Sequence, residues 1–186
     1  MGKAYKNFWS LNADEAVVCG ILRSETSKNI EVFMPLNAQM KDIDLVLMNI
    51  SNKKSLTVQV KGSRAFEPRK SEIIKYGQGS PGWFFFKKDV IFRNKADYFI
   101  FIIYVLQEDE KVGRRIISPH TITISTKKLR LLCRKFKKVG KGDMYNFFLW
   151  VNPVKKEAFD FKDKKYYVSE YLDKKGFERM NKELKK

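Results

Sequence analysis

Apolar residues recur with two different periods along this chain. Ala16, Val17, Val18, Cys19, Ile21 and Leu22 follow Asn12-Ala13-Asp14-Glu15, a helix start in which Asn12 is the N-cap and Glu15 completes the capping-box spacing. The period then shortens. Residues 30–36, 42–50 and 56–61 alternate as strands do, with Ser51-Asn52-Lys53-Lys54 as a turn, so a helix feeds a β-meander. Residues 62–82 hold Gly62, Pro68, Gly77, Gly79, Pro81 and Gly82 among basic side chains and read as a long functional loop. Residues 83–86 read as a short strand, 97–106 as a central strand buried on both faces, and 114–124 as a strand broken by Pro119.

Helical spacing returns over 127–138, where Leu129, Leu132, Cys133 and Phe136 form one stripe behind a Ser125 or Thr126 cap. A late strand over 145–151 and a tail helix over 169–185 complete the pattern. The order αβββ, loop, β, β, α predicts an α/β fold, a mixed sheet flanked by helices, over residues 1–152. Residues 153–186 read as a basic C-terminal extension.

Composition narrows the class. A hydrophobic content of 44% suffices for a packed core and excludes a disordered chain. The longest apolar run, residues 98–106, falls well short of the ~20 residues that span a bilayer, so no membrane partner is expected. Met1 to Asn7 lacks the apolar stretch of a signal peptide, and Cys19 and Cys133 lack metal-ligand spacing. Both facts point to a cytoplasmic chain with reduced thiols. The net charge of +17 calls for a polyanionic partner, and half of the lysines and arginines lie beyond residue 125. A nucleoid-associated basic protein that binds nucleic acid is the expectation; solubility alone is the plainer account of the same charge.

The candidate chemistry lies between residues 42 and 61. Asp42, Asp44 and Val46 share one face of their strand, and Gln59 and Lys61 share one face of the next. If those strands are neighbours, Asp44, Gln59 and Lys61 converge at one sheet edge. Asp44, the Gln59 amide oxygen and the Val60 carbonyl then suit an oxygen-preferring ion such as Mg²⁺ or Mn²⁺, with Lys61 beside them to activate water or offset phosphate charge. A cross-strand Asp44–Lys61 ion pair is the structural alternative.

Asp44 opening one strand and Gln59-Val60-Lys61 on the next resemble the signature of the PD-(D/E)XK, or restriction endonuclease-like, nuclease superfamily. Gln59 stands where the family has its second acid, and Ile43 stands where it has proline. The resemblance spans roughly residues 10–105. It implies a metal-dependent DNA endonuclease of the restriction, repair or mobile-element type, a Glu15 carboxylate completing the metal shell, no small-molecule cofactor, and a homodimer. Ser63, Arg64, Arg69 and Lys70 beyond the site strand, and Lys127, Arg130 and Arg134 on the basic helix, are the expected DNA contacts.

Other features have structural readings. His120, the only histidine, reads as a partly buried structural residue, and Glu15 is explained equally by its capping box. The aromatic run at 83–86 reads as packing in preference to base stacking. A non-catalytic DNA-binding protein of the same fold and an RNA-binding module are the rival functions.

Overall fold

The computed structural model describes residues 13–35, 42–109, 113–162 and 165–186. Helix α1 (Ala13–Glu25) leads into strands β1 (Ile30–Phe33), β2 (Leu45–Asn49) and β3 (Ser55–Gly62). Helix α2 (Lys70–Tyr76), strand β4 (Ser80–Lys87) and helix α3 (Lys88–Phe92) then carry the chain to the long strands β5 (Tyr98–Asp109) and β6 (Arg114–Ser125). After α4 (Thr126–Phe136) come β7 (Met144–Asn152), β8 (Glu157–Asp160), the short β9 (Tyr166–Tyr167) and α5 (Asp173–Lys185).

These strands make two sheets. The first runs β1-β2-β3-β5-β6 and is antiparallel except between β3 and β5, which pair in parallel. The second, β4-β7-β8-β9, is antiparallel throughout. The first sheet is covered on both faces, which is why β5 reads as an unbroken apolar run. Ile100 and Ile102 pack with Val18 and Leu22 of α1 and with Phe177, Met180 and Leu184 of α5. Phe99, Phe101, Ile103 and Val105 pack with Phe84 and Phe147 of the second sheet and with Ile91 and Leu129 of α3 and α4.

The mixed α/β class agrees with the sequence reading, but several bounds change. The expected loop over 62–82 contains α2 and the start of β4. None of the α2 residues is buried, so no apolar stripe marks that helix; the Arg69 N–H donates to Glu72 Oε2 (2.8 Å) and Gly77 closes it in a left-handed turn. Pro81 and Pro119 sit on edge strands, where a missing N–H removes no ladder bond, so β4 and β6 run through them. The first strand ends at Phe33, and the rest of its expected span reaches residues outside those described.

The stretch from 153 to 186 is built into the body of the molecule. β8 and β9 extend the second sheet, while α5 buries Phe177, Met180 and Leu184 against the first. At about 1.5–3 kcal/mol for each fully buried side chain, these three residues alone dock the helix firmly. Among the described residues no helix is long and apolar enough to cross a membrane.

Candidate active site

The pairing of β2 with β3 places Leu45 opposite Val58 and continues one residue further, because the Asp44 N–H donates to the Val58 carbonyl (2.8 Å). Asp44 therefore sits just before β2, beside Gln59. Its Oδ2 accepts hydrogen bonds from Gln59 Nε2 and from the Val60 N–H (2.7 Å). In an extended strand the N–H and C=O of one residue point to the same side, so the Val60 carbonyl also faces the edge where Asp44 lies.

Gln59 is buried, 4% exposed, and its amide is bonded at both ends. Gln59 Oε1 accepts from Asn94 Nδ2 (3.2 Å), and Asn94 Oδ1 accepts from the Ala96 N–H (2.8 Å). A backbone N–H can only donate. That fact orients Asn94, Asn94 orients Gln59, and Gln59 turns its nitrogen toward Asp44. Asp44 and Gln59 meet as the strand parity predicts, but the Gln59 oxygen faces Asn94.

Lys61 lies two residues further along the same face, which β3 shares with Phe99 and Phe101 of β5. It is half-buried and has no ion-pair or hydrogen-bond partner among the described residues. The cross-strand Asp44–Lys61 ion pair is not formed. Lys61, Arg64, Phe66 and residues 83–86 line a groove of about 420 Å³ between the end of β3 and the edge of β4.

Helix α1 crosses the opposite face. The carboxylate it lodges against the end of β3 is that of Asp14: a Cβ on Gly62 would lie 1.8 Å from Asp14 Oδ2. Tyr104 donates its hydroxyl to Asp14 Oδ1 (2.6 Å), and burial, reinforced by that bond, raises the phenol far above its ordinary pKa. Glu15 is half-buried on the same helix, and its expected cap, Asn12, lies outside the described residues.

No family model, no curated protein and no solved structure matches this chain. Among the described residues no three His, Cys, Asp or Glu side chains converge. The donor set at the strand ends still fits a single oxygen-coordinated cation. Asp44 Oδ1 has no hydrogen bond among the described residues, and the Val60 carbonyl faces the same strand edge, so these two oxygens with waters could serve such an ion. Gln59 would present oxygen to that ion only by turning its amide over against Asn94.

The expected DNA contacts divide into two groups. Arg64, Arg69, Lys70, Lys127 and Arg134 are exposed. Ser63 is buried and bridges the two sheets: its Oγ accepts from the Trp83 N–H (2.9 Å) and donates to the Arg64 carbonyl (3.0 Å). Arg130 turns inward, donating from Nε to the Ile91 carbonyl (3.1 Å) and from a terminal nitrogen to that of Asn94 (2.8 Å). It thus braces α3 and the Asn94 turn from α4. His120 bonds Asp173 Oδ2 (2.8 Å) and Ser118 (3.1 Å), a structural tie between β6 and the start of α5.

Asn94 and Asp14 were not picked out by the sequence reading. The Asn94 turn is legible in Asn94-Lys95-Ala96, where an asparagine bonds the N–H two residues on. Its contact with Gln59 spans 35 residues and has no local signal.

Proposed function

We propose that this chain is a metal-dependent deoxyribonuclease of the restriction endonuclease-like type. The observation that carries the reading is Asp44 held at a strand end against Gln59 and Val60, with Lys61, which has no partner among the described residues, on the same face. A half-buried lysine with no partner among the described residues, on the face that carries the Asp44 carboxylate, suits a role in phosphodiester hydrolysis. The helix preceding an antiparallel meander, and the long crossover from β3 to its parallel partner β5, support the fold that the resemblance implies.

Asp44 and the Val60 carbonyl would hold Mg²⁺ or Mn²⁺. When bound, such an ion lowers the pKa of water and offsets phosphate charge. Gln59 keeps Asp44 in place by donating to it, so the second acid of the family pattern becomes a positioning amide here. Lys61 orients the attacking water or steadies the charge on the phosphate, and Arg64 in the same groove holds the backbone.

A second reading has its own observation. With one carboxylate and a Gln59 nitrogen at the centre, metal affinity is low, which favours a non-catalytic DNA-binding protein of the same fold. Incubation with plasmid and branched DNA in Mg²⁺ or Mn²⁺ separates the two. Cleavage that disappears in Lys61→Ala and Asp44→Asn supports the nuclease; binding without cleavage of any DNA form leaves the second reading.

A further inference from the structure

Strand β4 divides its aromatic run by parity. Phe84 and Phe86 enter the core, whereas Trp83 and Phe85 stand on the outer face of the second sheet, 37% and 52% exposed. Register places Phe148 of β7 opposite Trp83 on that face, and the Phe85 and Phe148 rings meet edge to face at 5.9 Å. Phe66 stacks on Trp83 with ring centroids 4.2 Å apart and 27° between planes. Lysine ammonium groups lie over this surface: Lys162 is 4.0 Å from the Phe148 ring centroid, and Lys165 lies over Tyr167 at the far strand, which is 59% exposed. The inner edge of the platform runs into the groove that contains Lys61 and Arg64.

Phe85 and Tyr167 stay more than half exposed although neighbouring rings pack around them, and outward rings of that size gathered on one sheet face mark a binding surface. We infer that this face binds single-stranded nucleic acid, stacking unpaired bases on Phe85 and Trp83 while Lys162 and Arg64 take the phosphates. Rings serve this purpose because every base has a π-face, whereas the bases of a duplex are stacked on one another and out of reach. The charge argues for this occupant over a second copy of the chain. Two chains of net charge +17 would oppose lysine to lysine across a shared face, while a polyanion releases counterions on binding it.

The continuity of platform and groove would deliver a single strand, or the unpaired arm of a branched duplex, to Lys61. That last step rests on the nuclease reading; the binding itself does not. The test is fluorescence anisotropy of the full chain in EDTA, using labelled oligothymidylate, oligouridylate and a blunt duplex of equal length. Both single strands should bind at least about tenfold more tightly than duplex, and equal affinity for the two would place recognition on base and phosphate without the sugar. Phe85→Ala and Trp83→Ala should each weaken single-strand binding by about 5- to 100-fold and leave duplex binding within about twofold. Phe85→Trp should retain affinity, and Phe85→Leu, which keeps the bulk without the π-face, should lose it.

Equal affinity for single strand and duplex, unmoved by Phe85→Leu, overturns the inference. So does a concentration-dependent dimer that Phe85→Ala dissolves. The binding assay contains no metal and does not depend on cleavage, so single-strand preference without any cleavage in Mg²⁺ or Mn²⁺ supports the platform and counts only against the nuclease assignment. Cleavage without single-strand preference sinks only the platform.

Discussion

Gln59 gives its amide nitrogen to Asp44, and the direction of that bond is set by Asn94 on its other side. A carboxylate at position 59 would place an acceptor where Asp44 needs a donor. Gln59→Glu should therefore be less stable than the parent in EDTA, by about 1–3 kcal/mol for the lost bond and the like-charge contact. Mg²⁺ or Mn²⁺ between the two carboxylates would reverse the penalty, so the melting temperature of the variant should rise on metal addition by more than the parent's does. Thermal melts of both proteins in EDTA and in Mg²⁺ decide it. Identical melting in every condition would mean that Asp44 does not face residue 59.

Much of this site is legible in the sequence because a strand has a period of two. Parity puts Gln59 and Lys61 on one face of their strand, and the antiparallel register of β2 with β3 then brings Asp44 opposite Gln59. The same rule divides residues 83–86 into two core rings and two outward rings once the strand is known. What sequence periodicity does not carry is contact between distant segments. Asn94 reaches Gln59, Asp14 reaches Gly62, and Arg130 reaches the carbonyls of Ile91 and Asn94 through tertiary packing. Helix α2 was hidden for a related reason, since a helix that buries nothing leaves no stripe.

Gly62 and Gly176 both lie where a Cβ would clash, with different consequences. A Cβ on Gly62 meets the end of the Asp14 side chain, which can rotate at the expense of its Tyr104 bond. A Cβ on Gly176 meets the Tyr171 carbonyl oxygen at 2.3 Å and Thr123 Cβ at 2.9 Å, where α5 lies against β6. Gly62→Ala should cost about 1–2 kcal/mol, partly recovered by adding Asp14→Ala, a non-additivity of at least about 0.5 kcal/mol. Gly176→Ala should cost about 3 kcal/mol or more, because backbone cannot step aside. Urea midpoints for the parent, the Gly62→Ala, Asp14→Ala and Gly176→Ala variants and the Gly62/Asp14 double variant measure both effects, and an additive Gly62/Asp14 pair would contradict the contact.

Lys137 and Asp160 form an ion pair at 2.7 Å with both side chains fully buried. Asp160 also accepts from the Phe148 and Lys162 N–H groups, yet burial outweighs all three and raises its pKa. A carboxyl whose pKa is raised on folding contributes stability below its unfolded pKa and loses it as pH rises through the folded value, so the charged pair is a burden at neutral pH. Lys137→Met, which strands the carboxylate, should destabilise by about 3–5 kcal/mol. Lys137→Met with Asp160→Asn removes the charge and, because the Phe148 and Lys162 N–H groups use different oxygens of Asp160, keeps an acceptor for only one of them, so it should recover part of that loss. Chemical denaturation at neutral pH gives the comparison, and a double variant no better than the single would mean that the charge of Asp160 is not what makes the loss.

Cys133 lies against the same lysine, whose charge lowers its thiol pKa, but burial dominates and pushes it up to about 12. Since the unfolded thiol ionises near pH 8.5, its contribution to stability is complete below that pH and is lost as pH climbs toward 12. Tyr98, Tyr104 and Tyr171 are raised in the same direction, chiefly by burial, so the native state should weaken progressively on the alkaline side. The thiol offers a residue-level readout. At pH 9 iodoacetamide should modify half-buried Cys19 first and Cys133 roughly a hundredfold or more slowly, because so little of the buried group is thiolate. Mass spectrometry of the two cysteine peptides over time measures the ratio, and urea should abolish it. Comparable native rates would place Cys133 at the surface and undo the packing of α4 on the central sheet.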